Sequence, residues 1–248
     1  MDLGVRGSGF VVTGGSSGLG FATARALVDD GARVLLVARE PSRLERARSA
    51  LGSDAVALVA DLALPDAGTD IAAAAAAAGM VQGLVVNVGG PTPGSSLDYT
   101  DEQWLEAIDG VLLASLRVVR ACVPVLADAS SVLFVLSTTV KEPIPSLGAS
   151  NVLRPGLAML VKDMAGHLAP RGIRVNGILP GRIATDRMTA LTQGDPGVLH
   201  AIEETIPLGR LGDPIEFGRV AAFLLSPAAS YVTGALVPVD GGLLRSPW

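Results

Sequence analysis

The chain is poor in the side chains that most often build disulfides, metal sites and nucleophilic centres. Its 248 residues include one cysteine, two histidines and two tyrosines. The single Cys122 excludes an intramolecular disulfide and is typical of a reducing compartment, so we expect a cytoplasmic protein. No His/Cys cluster has metal-ligand spacing, and the sequence therefore predicts no metal site.

Charge is scarce as well. Charged residues make up 17% of the chain, and the formal net charge is −5. This balance, without a basic cluster interleaved with aromatics, argues against a nucleic-acid binder. No signal peptide precedes the first predicted strand, and the alanine-rich run from Ile71 to Ala78 is too short to span a bilayer. We therefore expect neither nucleic acid nor a membrane as a partner.

Short apolar runs alternate with stretches of helical periodicity along most of the chain. The predicted strands are Phe10–Val12, Val34–Val37, Ala55–Ala60, Leu84–Val86, Ser131–Leu136, Ile173–Leu179 and Leu236–Val239. This βαβ alternation predicts an α/β fold with a doubly wound, seven-stranded parallel Rossmann-type sheet and helices on both faces. No linker divides the chain, so residues 1–248 are expected to form one domain. Ligands of such sheets bind at the carboxyl ends of the strands.

The glycine-rich segment Thr13–Gly20 reads Thr-Gly-Gly-Ser-Ser-Gly-Leu-Gly and joins the first predicted strand to a predicted helix. Glycines allow a tight turn and the close approach of a pyrophosphate, while a helix N-terminus offers free N–H groups. The segment therefore predicts a phosphate site. Residues 14–18 also match G-x-S-x-G, a nucleophile elbow. That alternative needs a histidine, and only His167 and His200 are available.

Further segments in chain order make the sequence similar to the short-chain dehydrogenase/reductase family, in a single-domain form like the 3-oxoacyl-acyl-carrier-protein reductases. They are Asp61-Leu62, Asn87–Gly90, Arg174–Asn176, Pro180–Thr185, Gly209–Pro214 and Val239–Gly242. The resemblance implies a nicotinamide dinucleotide cofactor, a substrate-covering segment at residues 182–208, and a homodimer or homotetramer. The C-terminal residues 243–248 are expected to take part in the subunit contact.

The resemblance also implies which residues bind the cofactor. It places Gly14, Gly18 and Gly20 on the pyrophosphate, Asp61 and Leu62 beside the adenine, Asn87 and Gly89 near the ribose, and Ile183 and Thr185 at the nicotinamide end. Additional cofactor contacts are expected from Thr13, Ser16, Ser17, Leu19, Pro180 and Gly181.

The end of the second strand bears on which dinucleotide is used. An acidic residue there binds the ribose 2′-OH, and a basic residue accommodates a 2′-phosphate. Here Ala38 occupies the acidic position and Arg39 follows it. A guanidinium pairs well with phosphate, so we expect NADP(H) rather than NAD(H). The adjacent Glu40 leaves NAD(H) as the alternative.

The proton-transfer pattern of the family is not present. Family members use Tyr-x-x-x-Lys after the fifth strand, where the lysine lowers the tyrosine pKa toward neutrality, together with a serine and an asparagine. Neither Tyr99 nor Tyr231 is followed four residues later by a lysine. The family's usual general acid is therefore missing from this sequence.

Alignment on the family helix places Ser150 at the tyrosine position and Arg154 at the lysine position. Val111 falls where asparagine is expected, and Ser137 or Thr138 occupies the serine position. Arginine stays protonated and is a poor proton donor, but it can stabilise an alkoxide. Ser137, Thr138, Ser150 and Arg154 are the candidate catalytic residues.

Pro155 affects how this helix is placed. Proline disfavours the helical conformation at the preceding residue and removes one backbone donor. The pattern therefore predicts a helix that begins near Pro155, with Ser150 in a loop.

Two functions are compatible with these residues. The first is an NADP(H)-dependent oxidoreductase of atypical mechanism, a carbonyl or keto reductase acting on a small-molecule carbonyl or alcohol. The alternative is a catalytically inactive cofactor-binding pseudoenzyme that acts as a redox sensor or as a non-catalytic subunit of a complex.

Overall fold

The protein folds around one seven-stranded parallel sheet. The computed structural model describes residues 2–192 and 194–246. The strands are β1 (Gly9–Thr13), β2 (Arg33–Ala38), β3 (Ala55–Val59), β4 (Gly83–Val86), β5 (Ser131–Val135), β6 (Arg174–Pro180) and β7 (Leu236–Val239). Their order is β3-β2-β1-β4-β5-β6-β7, and every neighbouring pair is parallel. The predicted doubly wound Rossmann-type sheet is confirmed, and its winding reverses between β1 and β4.

The strands form because their apolar side chains are buried on both faces. Successive residues of a strand point to opposite faces, so each strand supplies two cores. Val11 and Leu35 belong to one hydrophobic cluster, and Val12 and Leu36 belong to the other. This two-sided burial explains the continuous apolar runs in the sequence.

Helices cover both faces of the sheet. They are α1 (Gly18–Asp29), α2 (Pro41–Leu51), α3 (Ala67–Ala78), α4 (Asp101–Ala107), α5 (Ala114–Cys122), α6 (Gly148–Leu168), α7 (Asp186–Thr192), α8 (Pro196–Glu204) and α9 (Pro214–Leu225). Buried residues of α1, α2 and α9 pack on one face, and those of α3, α5 and α6 pack on the other. A π-helical segment, Ile108–Leu113, joins α4 to α5. None of the helices within the described ranges has both the length and the hydropathy of a membrane span.

The predicted start of the helix at Pro155 was wrong. Helix α6 begins at Gly148, so Ser150 lies in its first turn rather than in a loop. The side chain of Asn151 explains the early start, because it accepts from the Ile144 N–H at 3.0 Å and donates to the Ile144 carbonyl at 2.9 Å. Pro155 removes one intrahelical donor, and the two hydrogen bonds to the preceding loop offset that loss. Ser150 and Arg154 therefore share one buried face of the helix.

The segment 182–208, which the family resemblance assigns to covering the substrate, contains the two short helices α7 and α8. Asp195 begins α8 by accepting hydrogen bonds from the backbone N–H groups of Gly197 and Val198, with Pro196 at the first helical position. Gln193, between the two helices, lies outside the described residues.

Candidate functional site

The loops that follow β1 to β6 surround a cavity of about 1030 Å³ at the carboxyl edge of the sheet. This is the edge at which ligands of doubly wound sheets bind. The predicted site residues that line it are Gly14, Ser16, Ser17, Gly18, Leu19, Arg39, Asp61, Leu62, Asn87, Gly89, Ser137, Thr138, Ser150, Arg154, Pro180, Gly181, Ile183 and Thr185. Thr13 and Gly20 are not part of the lining. The structure thus brings the candidate cofactor and catalytic residues to one cavity.

The glycine-rich segment forms a cradle at the start of α1. Gly14 and Gly18 adopt positive φ angles of 58° and 53°, which glycine tolerates best. A Cβ atom on Gly20 would lie 2.2 Å from the Gly14 carbonyl oxygen, so the close packing of α1 on the turn requires glycine there. The Ser17 side chain does not cap the helix, and its first turn has no acidic residue. The helix N-terminus is therefore suited to an anion such as a pyrophosphate.

Thr13 and Asn87 hold this cradle against the loop after β4. The buried Thr13 hydroxyl donates to the Val85 carbonyl at 3.0 Å and accepts from the Asn87 N–H at 2.8 Å. The Asn87 side-chain amide donates to the Gly14 carbonyl at 3.3 Å. These bonds join β1 and β4, the strands between which the winding reverses. Thr13 therefore positions the site without lining it.

The loop after β6 lies against the same cradle. A Cβ atom on Gly181 would lie 2.6 Å from the Asp240 Cα, so the backbone of this loop passes close to the end of β7. Ile183 is buried. The Thr185 methyl group is 3.6 Å from the point where a Gly18 Cβ would be. Gly18, which was assigned to the pyrophosphate, and Thr185, which was assigned to the nicotinamide end, therefore lie side by side.

Three arginines line the cavity near the end of β2. They are Arg39, Arg43 and Arg46, and all are exposed. The neighbouring Glu40 carboxylate accepts the backbone N–H groups of Arg43 and Ser42, which lowers the pKa of Glu40. Glu40 is thus engaged in capping α2, while the three arginines are part of the cavity lining. Sequence reasoning missed Arg43 and Arg46, which lie in the first two turns of α2.

Arg154 is the most deeply buried cation of the cavity, at 6% exposure. Its Nη1 donates to the Val135 carbonyl at 2.8 Å, and its Nη2 lies 3.4 Å and 3.5 Å from the Val88 and Gly89 carbonyls. Its Nε has no hydrogen-bond partner in the described part of the chain. Burial, and secondarily repulsion from Arg187, lowers the pKa of Arg154 to about 10. The guanidinium therefore remains charged at neutral pH.

Hydroxyl groups share the cavity wall with Arg154. Ser137 is half-buried, and its Oγ accepts the Thr139 N–H at 3.1 Å, which leaves its own proton free to be donated. Thr138 is 3% exposed and Ser150 is also buried. The Thr139 hydroxyl is directed at the Ser150 carbonyl, 3.5 Å away. The four candidate catalytic residues thus line the same cavity, with Thr139 as a support that sequence reasoning missed.

The tyrosines and histidines have other surroundings. Tyr99 lines the cavity, but its hydroxyl donates to the Thr92 carbonyl. Tyr231 is fully exposed. His167 and His200 are exposed on helices and do not belong to the cavity lining, so the nucleophile-elbow alternative has no histidine at this site. In residues 2–192 and 194–246, no group of three or more His, Cys, Asp or Glu side chains is placed to hold a metal ion.

Comparison with known proteins gives consistent matches along the chain. A family model described as enoyl-(acyl carrier protein) reductase matches residues 14–244. Galactitol 2-dehydrogenase (L-tagatose-forming) of Cereibacter sphaeroides is 38% identical, over 93% of this chain and 92% of its own. Dehydrogenase/reductase SDR family member 4 of Bos taurus is 34% identical, over 94% and 86%.

Two solved structures are also similar. L-sorbose reductase from Gluconobacter frateurii, complexed with NADPH and L-sorbose, has a TM-score of 0.92 at 29% identity and covers 99% of this chain and 100% of its own. An NADPH-bound short chain oxidoreductase from Pseudomonas aeruginosa PAO1, described as containing an atypical catalytic center, has a TM-score of 0.90 at 36% identity. That match covers 96% of this chain and 97% of the other.

Proposed function

This chain belongs to the short-chain dehydrogenase/reductase family, and from that premise we propose that it is an NADP(H)-dependent oxidoreductase that interconverts a small-molecule carbonyl compound and its alcohol. The observation that supports the proposal is the composition of one cavity. The cradle of Gly14 and Gly18 shares it with the buried cation Arg154 and the hydroxyl of Ser137. A dinucleotide site and a group able to stabilise an oxyanion are thus available to the same substrate.

The residues present fit a nicotinamide dinucleotide. The uncapped N-terminus of α1 and the glycine turn would hold the pyrophosphate. Arg39 and Arg43 would face a 2′-phosphate, whereas the Glu40 carboxylate is engaged by backbone N–H groups and is poorly placed to accept from a ribose 2′-OH. This arrangement supports NADP(H) over NAD(H). The NADPH-bound relatives are consistent with that preference.

The residues around Arg154 supply what carbonyl reduction needs besides hydride. The bound cofactor would supply the hydride to the carbonyl carbon. Ser137 would donate its free proton as a hydrogen bond to the carbonyl oxygen, and Arg154 would stabilise the negative charge that develops there. A charge in this buried position acts strongly because little water screens it. Ser137 is better suited than Thr138, whose side chain is almost completely buried.

The proton that completes the alcohol would come from water. The alkoxide that Arg154 stabilises is basic enough to take a proton from a water molecule, whose hydroxide is then neutralised by the buffer, while the Arg154 guanidinium keeps the protons that it donates to backbone carbonyls. Tyr99 already donates its hydroxyl proton to a backbone carbonyl. Ser150 and Val111 stand at the tyrosine and asparagine positions of the family and line the cavity. The mechanism is therefore atypical for the family, with electrostatic stabilisation in place of a tyrosine general acid.

The segment after β6 is placed to cover a substrate. Residues 182–208 contribute part of the cavity lining and would cover the substrate within the single domain.

Large apolar side chains of α4 to α6 are exposed, among them Leu105, Val152 and Met159. An apolar surface of this kind is typical of an interface, and we propose a homodimer or homotetramer through these helices. Pro247 and Trp248, which were expected to join the contact, lie outside the described residues.

The function is tested with the purified protein, NADPH and a panel of carbonyl compounds that begins with L-tagatose and L-sorbose. These sugars appear in the names of relatives. We expect carbonyl-dependent loss of NADPH absorbance with at least one compound, and its loss in Arg154→Met. NADPH binding is measured in parallel by fluorescence titration. Tight NADPH binding without oxidation by any compound would contradict the proposal and favour the inactive pseudoenzyme.

A further inference from the structure

Three arginines line the cavity in addition to those near the end of β2. We call Arg154, Arg182 and Arg187 the arginine cluster; all three line the cavity. The Arg187 guanidinium lies directly on Gly90, because a Cβ atom there would be 2.0 Å from Arg187 Nη1. A residue with a side chain at position 90 would displace that guanidinium. The backbone after β4 thus makes room for a second positive charge close to Arg154.

No carboxylate in the described part of the chain forms an ion pair with this cluster. The acidic residues that line the cavity are Glu40, Asp61, Glu106, Asp109 and Asp186. Glu40 caps α2, Asp109 pairs with Arg117 at 2.7 Å, and Asp186 lies 4.0 Å from Arg43. Throughout residues 2–192 and 194–246, the ion pairs leave the arginine cluster without an acidic partner.

Two guanidinium groups of the cluster, those of Arg154 and Arg182, are withdrawn from water without a neutralising partner among the described residues, whereas Arg187 is exposed. Burial lowers the pKa of Arg182, and burial together with Arg187 lowers that of Arg154. Arg154 donates only to neutral backbone carbonyls, and its buried Nε has no partner among the described residues. Uncompensated buried charge is costly, and a bound anion would relieve that cost.

We infer that the substrate carries an anionic group, a carboxylate or a phosphate, and that Arg187 binds it while Arg154 faces the reacting carbonyl oxygen. The planar guanidinium fork suits both anions. The closeness of Arg187 to Arg154 places the anionic group and the carbonyl within one small molecule. This inference rests on the proposed function and narrows its substrate class.

The experiment measures binding to the protein–NADP⁺ complex, which cannot reduce a carbonyl group, by isothermal titration calorimetry with two matched pairs. Acetoacetate and acetoacetamide differ in a carboxylate, and fructose 6-phosphate and fructose differ in a phosphate. We expect the anionic member of one pair to bind about 10- to 100-fold more tightly than its neutral partner, the range for a hydrogen bond to a charged group. The pair that discriminates identifies the anion.

Variants assign the preference to the cluster. Arg187→Gln should remove the preference and leave NADPH affinity unchanged, and Gly90→Ala should weaken it by displacing the guanidinium. Arg33→Gln, at the exposed start of β2 and outside the cavity lining, makes the same change in net charge and should have no effect. Equal binding within both pairs would overturn the inference. So would an Arg187→Gln protein that loses NADPH affinity and anion affinity to the same extent.

The result of the anion-binding experiment can be distinguished from the result of the turnover assay that tests the proposed function. Anion binding needs no turnover, so a preference abolished by Arg187→Gln would support the site even if no carbonyl compound is reduced. Conversely, turnover of neutral carbonyl compounds without any anion preference would support the oxidoreductase and overturn the anion site.

Discussion

Replacing Arg154 with methionine separates its charge from its volume. Methionine keeps a long side chain but removes the guanidinium that donates to the Val135 carbonyl at 2.8 Å. Removal of one oxyanion-stabilising group costs about 10²- to 10³-fold in kcat. We therefore expect a loss of that size in carbonyl reduction, while the glycine cradle still binds NADPH.

The effect on stability should be small because two contributions oppose each other. Burial holds the pKa of Arg154 at about 10, and a lowering of this size corresponds to a destabilisation of about 3 kcal/mol. A hydrogen bond from a charged donor contributes about 1.5–3 kcal/mol, which Arg154→Met loses. The two nearly cancel, so we expect a Tm change of no more than about 4 °C.

The lowered pKa of Arg154 also sets an upper pH limit for catalysis. Below pH 10 the folded protein keeps Arg154 protonated, so both the charge and its desolvation cost are present. As the pH rises through about 10, the folded state releases the proton before the unfolded chain does. The desolvation cost is then relieved, and kcat should fall because the stabilising charge is lost.

The assay compares kcat at saturating NADPH for wild type, Arg154→Met and Arg154→Lys, with circular dichroism and thermal melts as folding controls. Lysine retains the charge and should restore part of the rate. An Arg154→Met protein that is folded, binds NADPH and keeps the wild-type kcat would refute a catalytic role for this charge.

Further expected outcomes concern the cavity wall, the cofactor and the assembly. Ser137→Ala should lower kcat/KM about tenfold or more, as expected for a lost hydrogen bond to a developing charge, and Thr138→Val should do so much less; equal effects would contradict the assignment to Ser137. Arg39→Gln should raise the Kd for NADPH by about tenfold without changing that for NADH, in fluorescence titrations. Met159→Glu, at a side chain that is 70% exposed on α6, should give a smaller species in light scattering, whereas Leu97→Glu on an exposed loop should not; an unchanged mass in Met159→Glu would place the interface elsewhere.

Most of the sheet could be predicted because its signals are local. Strand burial on both faces produces apolar runs, and the βαβ alternation determines that the strands are parallel. The start of α6 could not be predicted, since Pro155 indicates a helix boundary locally. The contact of Asn151 with Ile144 overrides it, and that contact exists only in the folded chain.

The candidate site also has a part that could be predicted from the sequence and a part that could not. The cradle at residues 13–20 was predictable because a strand, a glycine turn and a helix are contiguous in sequence. Arg43 and Arg46 were missed because their relevance depends on how α2 is oriented against the cavity. The approach of Arg187, in the first turn of α7, to Gly90, in the loop after β4, joins two segments that are remote in sequence, and no local pattern indicates it.

The most direct test of the central claim is deuterium transfer from NADPH that carries deuterium at both C4 positions of the nicotinamide, followed by mass spectrometry of the products from the carbonyl panel. Hydride transfer predicts one deuterium on the carbinol carbon of the alcohol product with wild type, and a much slower appearance of that label with Arg154→Met. Wild-type protein that is saturated with labelled NADPH and places no deuterium in any product would contradict the account.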